Sequence, residues 1–337
     1  TIDIDLQTYR IVRTNQFAYN RATTRNGDKI SIALRQGNDC IVSPSYRIFR
    51  SKDENVLNSE YLMMWFRRPE FDRYARFMSH GSAHEFFEYD QMCQVELPIP
   101  SIAKQREIVK EYNIIQSRID LNQQLIQKLE ETAQAIYKQW FVDFEFPDEN
   151  GKPYKSNGGE MVFNKELERE IPLGWEVNDL ESLILFKNGK SKPLSKGVYP
   201  VYGGNGIVEY VDTSNDENII AIGRVGAYCG SLYRVLGKCW ISDNAISAKS
   251  KKNANMYSYY VLNGLNLNER SEGTGQPLIT QGLLNAIRIT IPSDEIISSF
   301  ESTADTIFIN QDLAGREVSK LEELKSLLLS KLATIES

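Results

Sequence analysis

The feature that most constrains this chain is an apolar rhythm that occurs twice, 192 residues apart. From Ile108 the apolar residues step alternately by four and three: Ile108, Tyr112, Ile115, Ile119, then Asn122, then Ile126, Leu129, Ala133, Ile136 and Trp140. That spacing keeps one face of an α-helix apolar at a period of 3.5 residues, the seam of a coiled coil. A second seam lies in the same frame: Phe300, Ala304, Ile307, Gln311, Ala314, Val318, Leu321, Lys325, Leu328, Leu332 and Ile335. The same offset carries Lys128-Leu129-Glu130-Glu131 onto Lys320-Leu321-Glu322-Glu323, Pro100-Ser101 onto Pro292-Ser293, and Gly81-Ser82 onto Gly273-Thr274. A repeat of this length is a duplicated domain, far too long for a solenoid. Each helix should run for roughly 35–40 residues, about 50–60 Å at 1.5 Å per residue, which outreaches a domain of about a hundred residues. The two helices are therefore each other's natural partners. The pattern does not fix whether they run parallel or antiparallel; equivalent domains at opposite ends of a rod would need the antiparallel arrangement. The polar seam positions Asn122, Gln311 and Lys325 weaken the seam and set its register.

The rest of the chain is rich in strand and turn signals. In the first copy, Tyr9–Val12, Phe17–Asn20, Lys29–Leu34, Cys40–Val42, Tyr46–Phe49 and Cys93–Ile99 read as strands, and Tyr61–Arg68 as a short helix. In the second, Leu183–Phe186, Val198–Tyr202, Ile207–Val211, Asn218–Ile222 and Ser231–Val235 read as strands separated by glycine turns, and Met256–Asn263 as a helix. This gives an α+β chain with a pseudo-two-fold internal repeat: a β-rich domain over 1–100, a long helix over 101–145 opened by the N-cap Ser101, a linker over 146–170, a second β-rich domain over 171–292, and a second long helix over 293–337.

No apolar run approaches the ~18–20 residues needed to cross a membrane. The acidic start, Thr1-Ile2-Asp3-Ile4-Asp5, is unlike a secretory signal. The cysteines Cys40, Cys93, Cys229 and Cys239 form no C-x-x-C pair, and Cys40 and Cys239 read as small buried apolar residues; a cytoplasmic setting is expected. His80 and His84 beside Glu85 suggest a metal pair, but no third ligand stands out and the second copy has no histidine, so no duplicated metal or histidine-based site is expected. The glycine clusters Gly203-Gly204-Asn205-Gly206 and Gly223-Arg224-Val225-Gly226 lack the strand–turn–helix context of a nucleotide site. No N-P-P-[FYW] or D-P-P-Y segment of an amino-methyltransferase occurs. Nothing catalytic is expected.

The net charge of −6 argues weakly against nucleic acid, but the charge is unevenly spread. Ten Lys or Arg face five acids between Ser182 and Met256, and Arg67, Arg68, Arg73 and Arg76 interleave with Trp65, Phe71, Tyr74 and Phe77. Acids concentrate in the helices and over Asp143–Glu170. Such clusters are usually solvated faces; here they coincide with polar loops at equivalent places in both copies. Arg21, Arg25 and Asn26 in the first, with Arg67 and Arg76, and Lys187, Asn188, Lys190 and Lys192 in the second are candidate phosphate or base contacts. Asn205, Arg224, Tyr228 and Asn244 carry the forked donors and acceptors that read base edges. Ser82 in the first copy, and Thr274 and Gln276 in the second, sit beside glycines that let a backbone approach a phosphate.

These segments, taken in order, resemble the specificity subunit of Type I restriction–modification systems. The resemblance is carried by Pro100-Ser101 with Gln105-Arg106-Glu107-Ile108-Val109, Ala135–Phe144 (AIYKQWFVDF), Ile171-Pro172-x-Gly174-Trp175, Tyr199–Ile207, Gly223-Arg224-x-Gly226 and Gly273-Thr274-Gly275-Gln276. It covers nearly all of the chain. It implies two target-recognition domains, each reading half of a bipartite site in double-stranded DNA, held apart by an antiparallel pair of long helices. Those helices would dock two methyltransferase (modification) subunits, which carry S-adenosylmethionine and the catalysis, and a restriction subunit can join. This chain would itself hold no cofactor. The counterpart of Ile171–Trp175 is missing from the first copy, so its recognition domain reads as N-terminally incomplete. The alternative is a non-catalytic protein–protein scaffold whose basic heads bind an acidic partner without reading DNA sequence.

Overall fold

The computed structural model describes residues 6–22, 29–80, 85–272 and 277–335. The chain divides into two compact units: Thr1–Leu125 with Leu313–Ser337, and Ile126–Asp312. Each long helix contributes one part of its length to each unit.

Unit 1 carries β1 (Arg10–Val12), β2 (Phe17–Asn20), β3 (Ser31–Leu34), β4 (Cys40–Val42) and β5 (Tyr46–Phe49), then α1 (Ser59–Phe66), α2 (Pro69–Met78), α3 (Tyr89–Met92) and the start of α4 (Ile102–Tyr137). β2 is flanked by β3 and β5 in an antiparallel sheet, and β1 pairs with β4. The alternation Phe17, Tyr19 sends both rings inward, where Phe17 stacks on Phe49 at 4.8 Å and meets Phe66 edge-on. Asn58 caps α1, its side chain accepting from Tyr61 N. Two differences from the sequence reading stand out. Beyond the short helix expected over Tyr61–Arg68, Pro69 opens a second helix that the sequence reading did not include, α2, at a position that needs no amide donor and suits the fixed φ of proline. Cys93–Ile99, expected as a strand for its alternation, finds no partner strand among the described residues; α3 precedes it and 93–101 hold no regular element. Cys40 is half-buried rather than buried, whereas Cys239 is buried.

Unit 2 begins within α4, which passes through a π-turn at Lys138–Val142. The stretch 146–170, expected as a linker, is structured: β6 (Met161–Asn164) forms a hairpin with β7 (Arg169–Pro172). Phe141, Phe144 and Phe146 close around Trp175, with ring centroids 5.4–6.1 Å from it. Next come β8 (Glu176–Asp179), β9 (Ile184–Asn188), β10 (Lys196–Gly203), β11 (Gly206–Val211), β12 (Asp216–Gly223), β13 (Leu232–Ile241), β14 (Ala245–Ser250), α5 (Asn255–Gly264), α6 (Gln281–Asn285), β15 (Arg288–Ile291) and α7 (Asp294–Lys331). Six strands form one sheet in the order β11-β10-β13-β12-β14-β9, antiparallel except for β10 beside β13. β12 is apolar on both faces over Ile219–Ile222 and β14 is buried over Ala245–Ala248, and their period of two divides their side chains between two cores. Ile220, Ile222, Ile246 and Ala248 face the core shared with Tyr257, Tyr260 and Phe300, while Ile219, Ala221 and Ala245 face Val235, Cys239 and Ile241.

The heptad reading holds along both helices: every seam position named above is buried or half-buried. Within unit 1 the helix segments run antiparallel, with Ile108, Val109 and Tyr112 packing into the cluster of Leu328, Leu329 and Leu332, Gln116 meeting Lys325 at 3.0 Å and Arg118 meeting Glu317 at 2.9 Å. Within unit 2 Gln311 donates to Ile126 O and Glu130, and Tyr137 meets Phe300, again antiparallel. Two of the three polar seam positions thus have partners. Asn122 does not: it is buried and its Nδ2 donates to nothing among the described residues. Asn122→Leu is therefore expected to stabilise unit 1 by about 1–3 kcal/mol, the penalty of an unmet buried donor. Thermal denaturation checks this, and a lowered Tm would mean that the amide has a partner.

Candidate nucleic-acid interface

At one end of the unit 2 sheet, four connections converge. The β9–β10 loop is fastened by Gly189 N donating to Ala245 O, Lys190 N donating to Ile241 O and Trp240 Nε1 donating to Lys190 O, each at 3.0–3.1 Å. The Gly203–Gly206 turn bears the exposed Asn205; a Cβ on Gly204 would lie 3.5 Å from Val225 O and 3.8 Å from Asn244 O. Arg224 N donates to Asn244 O, and Arg224 O accepts from Ile279 N. A polar cleft of about 480 Å³ opens here between Ser191–Lys192, Gly203–Gly204, Val208–Glu209 and Ser242–Asn244.

The structure thus gathers Asn188, Lys190, Lys192, Asn205, Arg224, Tyr228 and Asn244 around one sheet end, with Lys187 one residue back on β9. Lys187, Asn188, Lys190, Asn205 and Asn244 are exposed, and Tyr228 is half-exposed. Lys192 is engaged in an ion pair with Glu209, and Arg224 is half-buried with an Nε that donates to nothing among the described residues. Thr274 and Gln276 lie outside the described residues, although Pro277 and Leu278 dock on this end through Gly226 N to Pro277 O and a Val225–Leu278 bridge.

Glycine is required where loops cross. A Cβ on Gly189 would fall 1.9 Å from Ser242 O and 2.7 Å from Ile241 O. Gly189→Ala must push the loop off β13, breaking the Lys190 N–Ile241 O bond. Hydrogen exchange at the Lys190 amide should rise at least about tenfold, equivalent to 1.4 kcal/mol; unchanged protection would contradict this packing.

In unit 1 the corresponding loop cluster has the same bridging pattern. Ala22 and His80 both bridge Phe86, as Val225 and Glu272 both bridge Leu278. Arg21 pairs with Glu88 at 2.8 Å and lies over the Phe86 ring, and Arg76 pairs with Glu85 at 3.3 Å, so both converge on the same segment. Arg67 is elsewhere: its Nη1 donates to the Tyr112 hydroxyl on α4, and its guanidinium lies over that ring. Arg25, Asn26 and Ser82 lie outside the described residues. Among the described residues no three His, Cys, Asp or Glu come together as a metal site, and no helix is long and apolar enough to cross a membrane. Sequence reasoning missed Leu194 and Arg234: the first is fully exposed beside the lysines, the second is half-buried against the helices. The lysine spacing marked the loop but not the leucine within it.

Comparison with known proteins agrees with this arrangement. The model of the Type I restriction modification DNA specificity domain matches residues 12–131 and 172–313, well over half of the chain. The specificity subunit of the Type I restriction enzyme MjaIX of Methanocaldococcus jannaschii is 31% identical over 156 residues, 46% of this chain and 34% of that protein. The EcoprrI specificity subunit of Escherichia coli is 30% identical over 119 residues, 33% of this chain and 30% of that protein. The matched stretches span about a third of these curated relatives. Among solved structures, the S subunit of a Type I restriction–modification system from M. genitalium superposes with a TM-score of 0.67 over 97% of this chain and 84% of that one, at 14% identity, a likeness of fold. With its duplicated β-rich domains and two long paired helices, the chain belongs to the Type I restriction–modification DNA specificity family.

Proposed function

We propose that the chain reads a bipartite sequence in double-stranded DNA, one half-site per unit, and that it carries no catalysis of its own. The observation that supports this best is the repeated loop cluster: the Ala22–Phe86–His80 and Val225–Leu278–Glu272 bridges hold matching loops in both units. In unit 2 exposed lysines and asparagines surround that cluster. Lysines there would neutralise phosphates and set position, while Asn205, Asn244 and Arg224 present the paired donors and acceptors that distinguish base edges.

The long helices are the surface we assign to two methyltransferase subunits, which would bring S-adenosylmethionine and transfer the methyl group. On unit 1, Ile114 and Leu121 stand exposed along α4 beside an open groove of about 650 Å³ that Val109, Asn113 and Arg118 also line. Apolar positions exposed on a helix whose seam is already filled suit a protein partner. A restriction subunit would join through that assembly.

Adenine-methylation mapping of DNA from cells with and without this chain, beside its modification subunits, tests the reading. A new methylated motif split into two parts by a fixed gap is expected. Complex assembly with salt-sensitive but sequence-blind DNA binding, and no new motif, would favour the scaffold alternative instead.

A further inference from the structure

The β9–β10 loop of unit 2 is held at both ends and exposes an aliphatic side chain in between. Lys190 is fixed to Ile241 and Trp240, Lys192 is paired with Glu209, and Ser195 Oγ donates to Asp212 Oδ1 at 2.6 Å. Between these anchors Leu194 is 99% exposed. Beyond Ser195, β10 bulges: Lys196 and Tyr199 both oppose Val211, and of the two residues between them Val198 is 77% exposed. Gly197 lies where a Cβ would come within 2.3 Å of the Asp212 Cα, so the bulge is packed tightly onto β11 rather than loose. Two aliphatic side chains are therefore displayed on fastened backbone and flanked by Lys190 and Lys196, neither of which meets a carboxylate among the described residues.

A floppy loop would fold such side chains back onto the sheet; here the anchors prevent it. The flanking ammonium groups select an anionic partner, and an aliphatic tip between lysines matches the wedges that enter a base stack while cations hold the phosphates on either side. We propose that Leu194, with Val198 on the adjoining bulge, is a wedge that enters the duplex between adjacent base pairs of the half-site read by unit 2, unstacking that step and bending the DNA. This rests on the DNA-reading function proposed above and adds a residue that contributes to specificity through the deformability of a step rather than through hydrogen bonds.

The test uses the full chain assembled with its methyltransferase subunits and the target defined by methylation mapping, with 2-aminopurine placed at each position of the unit 2 half-site in turn. Binding should raise the fluorescence severalfold at one step distinct from the methylated adenine. Leu194→Ala should abolish that rise, leave any signal from the methylated adenine, and weaken binding about tenfold; Leu194→Met should restore the rise. Lys190→Ala should weaken binding and lower its salt dependence while the rise persists at saturation. Fluorescence quenched at every step but the methylated adenine, or a rise that survives Leu194→Ala, overturns the wedge and leaves the reading of DNA intact. A Leu194→Ala chain that fails to assemble with the methyltransferase subunits makes the residue a protein contact and also overturns it. If no target maps at all, the DNA reading fails and the wedge falls with it.

Discussion

Replacing Arg234 with alanine is expected to destabilise unit 2 by about 1.5–3 kcal/mol, the range for hydrogen bonds to a charged group in a half-buried ion pair. Arg234 lies on β13 with its guanidinium between the rings of Tyr259 on α5 (4.8 Å) and Phe308 on α7 (4.4 Å). Its Nη2 donates to Glu130 Oε2 on α4 at 2.9 Å and to Gln311 Oε1 on α7 at 3.1 Å. One side chain thus joins the sheet, the short helix and both long helices of the unit. Glu130 cannot be left alone there. Burial pushes its carboxyl up, but the Gln311 hydrogen bond and the Arg234 charge outweigh that and hold it below the ordinary value. A depressed carboxyl stabilises the fold above the unfolded-state pKa, and that contribution disappears as pH falls through the lower folded value. In Arg234→Ala the carboxylate keeps its desolvation and loses the charge that offset it. Arg234→Lys should recover little, because an ammonium supplies neither the fork nor the flat face between two rings. Hydrogen exchange along β12–β14, with Glu130→Ala and the double variant completing a cycle, measures the coupling. A loss under about 1 kcal/mol would show the pair to be no stronger than a surface one.

The second large effect is a pH dependence. Glu301 on α7 is buried, with its two oxygens accepting from Met256 N and Tyr257 N at 2.8 Å each. These are first-turn amides of α5, whose own N-cap, Ala254, offers no side-chain acceptor. Burial dominates its titration, beyond what the amide hydrogen bonds recover, and with Asp305 nearby the carboxyl is pushed up to about 7. The folded protein therefore keeps a proton that the unfolded chain releases near its ordinary value. The contribution of this group to stability should be full below that ordinary value, fall as pH rises to about 7 and then level off. A rise from 4.5 to about 7 corresponds to a loss of at most about 3 kcal/mol. Glu301→Gln should flatten this slope at a cost of about 1–3 kcal/mol, because its single oxygen can accept from only one of the two amides, whereas Glu301→Leu should lose that amount for each of the two. Denaturation profiles from pH 4 to pH 8 decide it; a Gln variant with the parent's slope would place the titration on another group.

How much of this was legible in the sequence depends on how local each cause is. The seam was readable residue by residue, because a 3.5-residue period needs only the helix itself. Strands β9 to β12 of unit 2 were readable to within a few residues, because glycine turns bracket β-branched runs, whereas β13 runs six residues past its expected end at Val235 and β6, β7, β8, β14 and β15 were not read as strands. What failed depended on partners distant in the chain. Cys93–Ile99 alternates well but pairs with no strand among the described residues, and 146–170 lacks periodicity yet is ordered by the aromatic cluster around Trp175. Pro69 carried a readable sign, the preference of proline for the first turn, followed by the helical spacing Phe71, Tyr74, Ala75 and Met78. Among the candidate site residues, those on glycine-bounded loops of unit 2 came together because the glycines permit the crossings. Arg67 instead meets Tyr112, 45 residues along the chain, a contact that no local pattern announces.

We further propose that the length of the paired helices fixes the gap between the two half-sites. Four residues inserted after Leu125, matched by four after Asp312 where the chain also divides between units, would lengthen both helices by about 6 Å and rotate them by about 40°. One base pair of DNA turns by about 34–36°, so rotation favours one added base pair. Adenine-methylation mapping of the inserted and parent chains, side by side with the same modification subunits, is the direct measurement. The account predicts a gap longer by one base pair, two at most, with the letters of both half-sites unchanged. Altered half-site letters, or an unchanged gap, would contradict it.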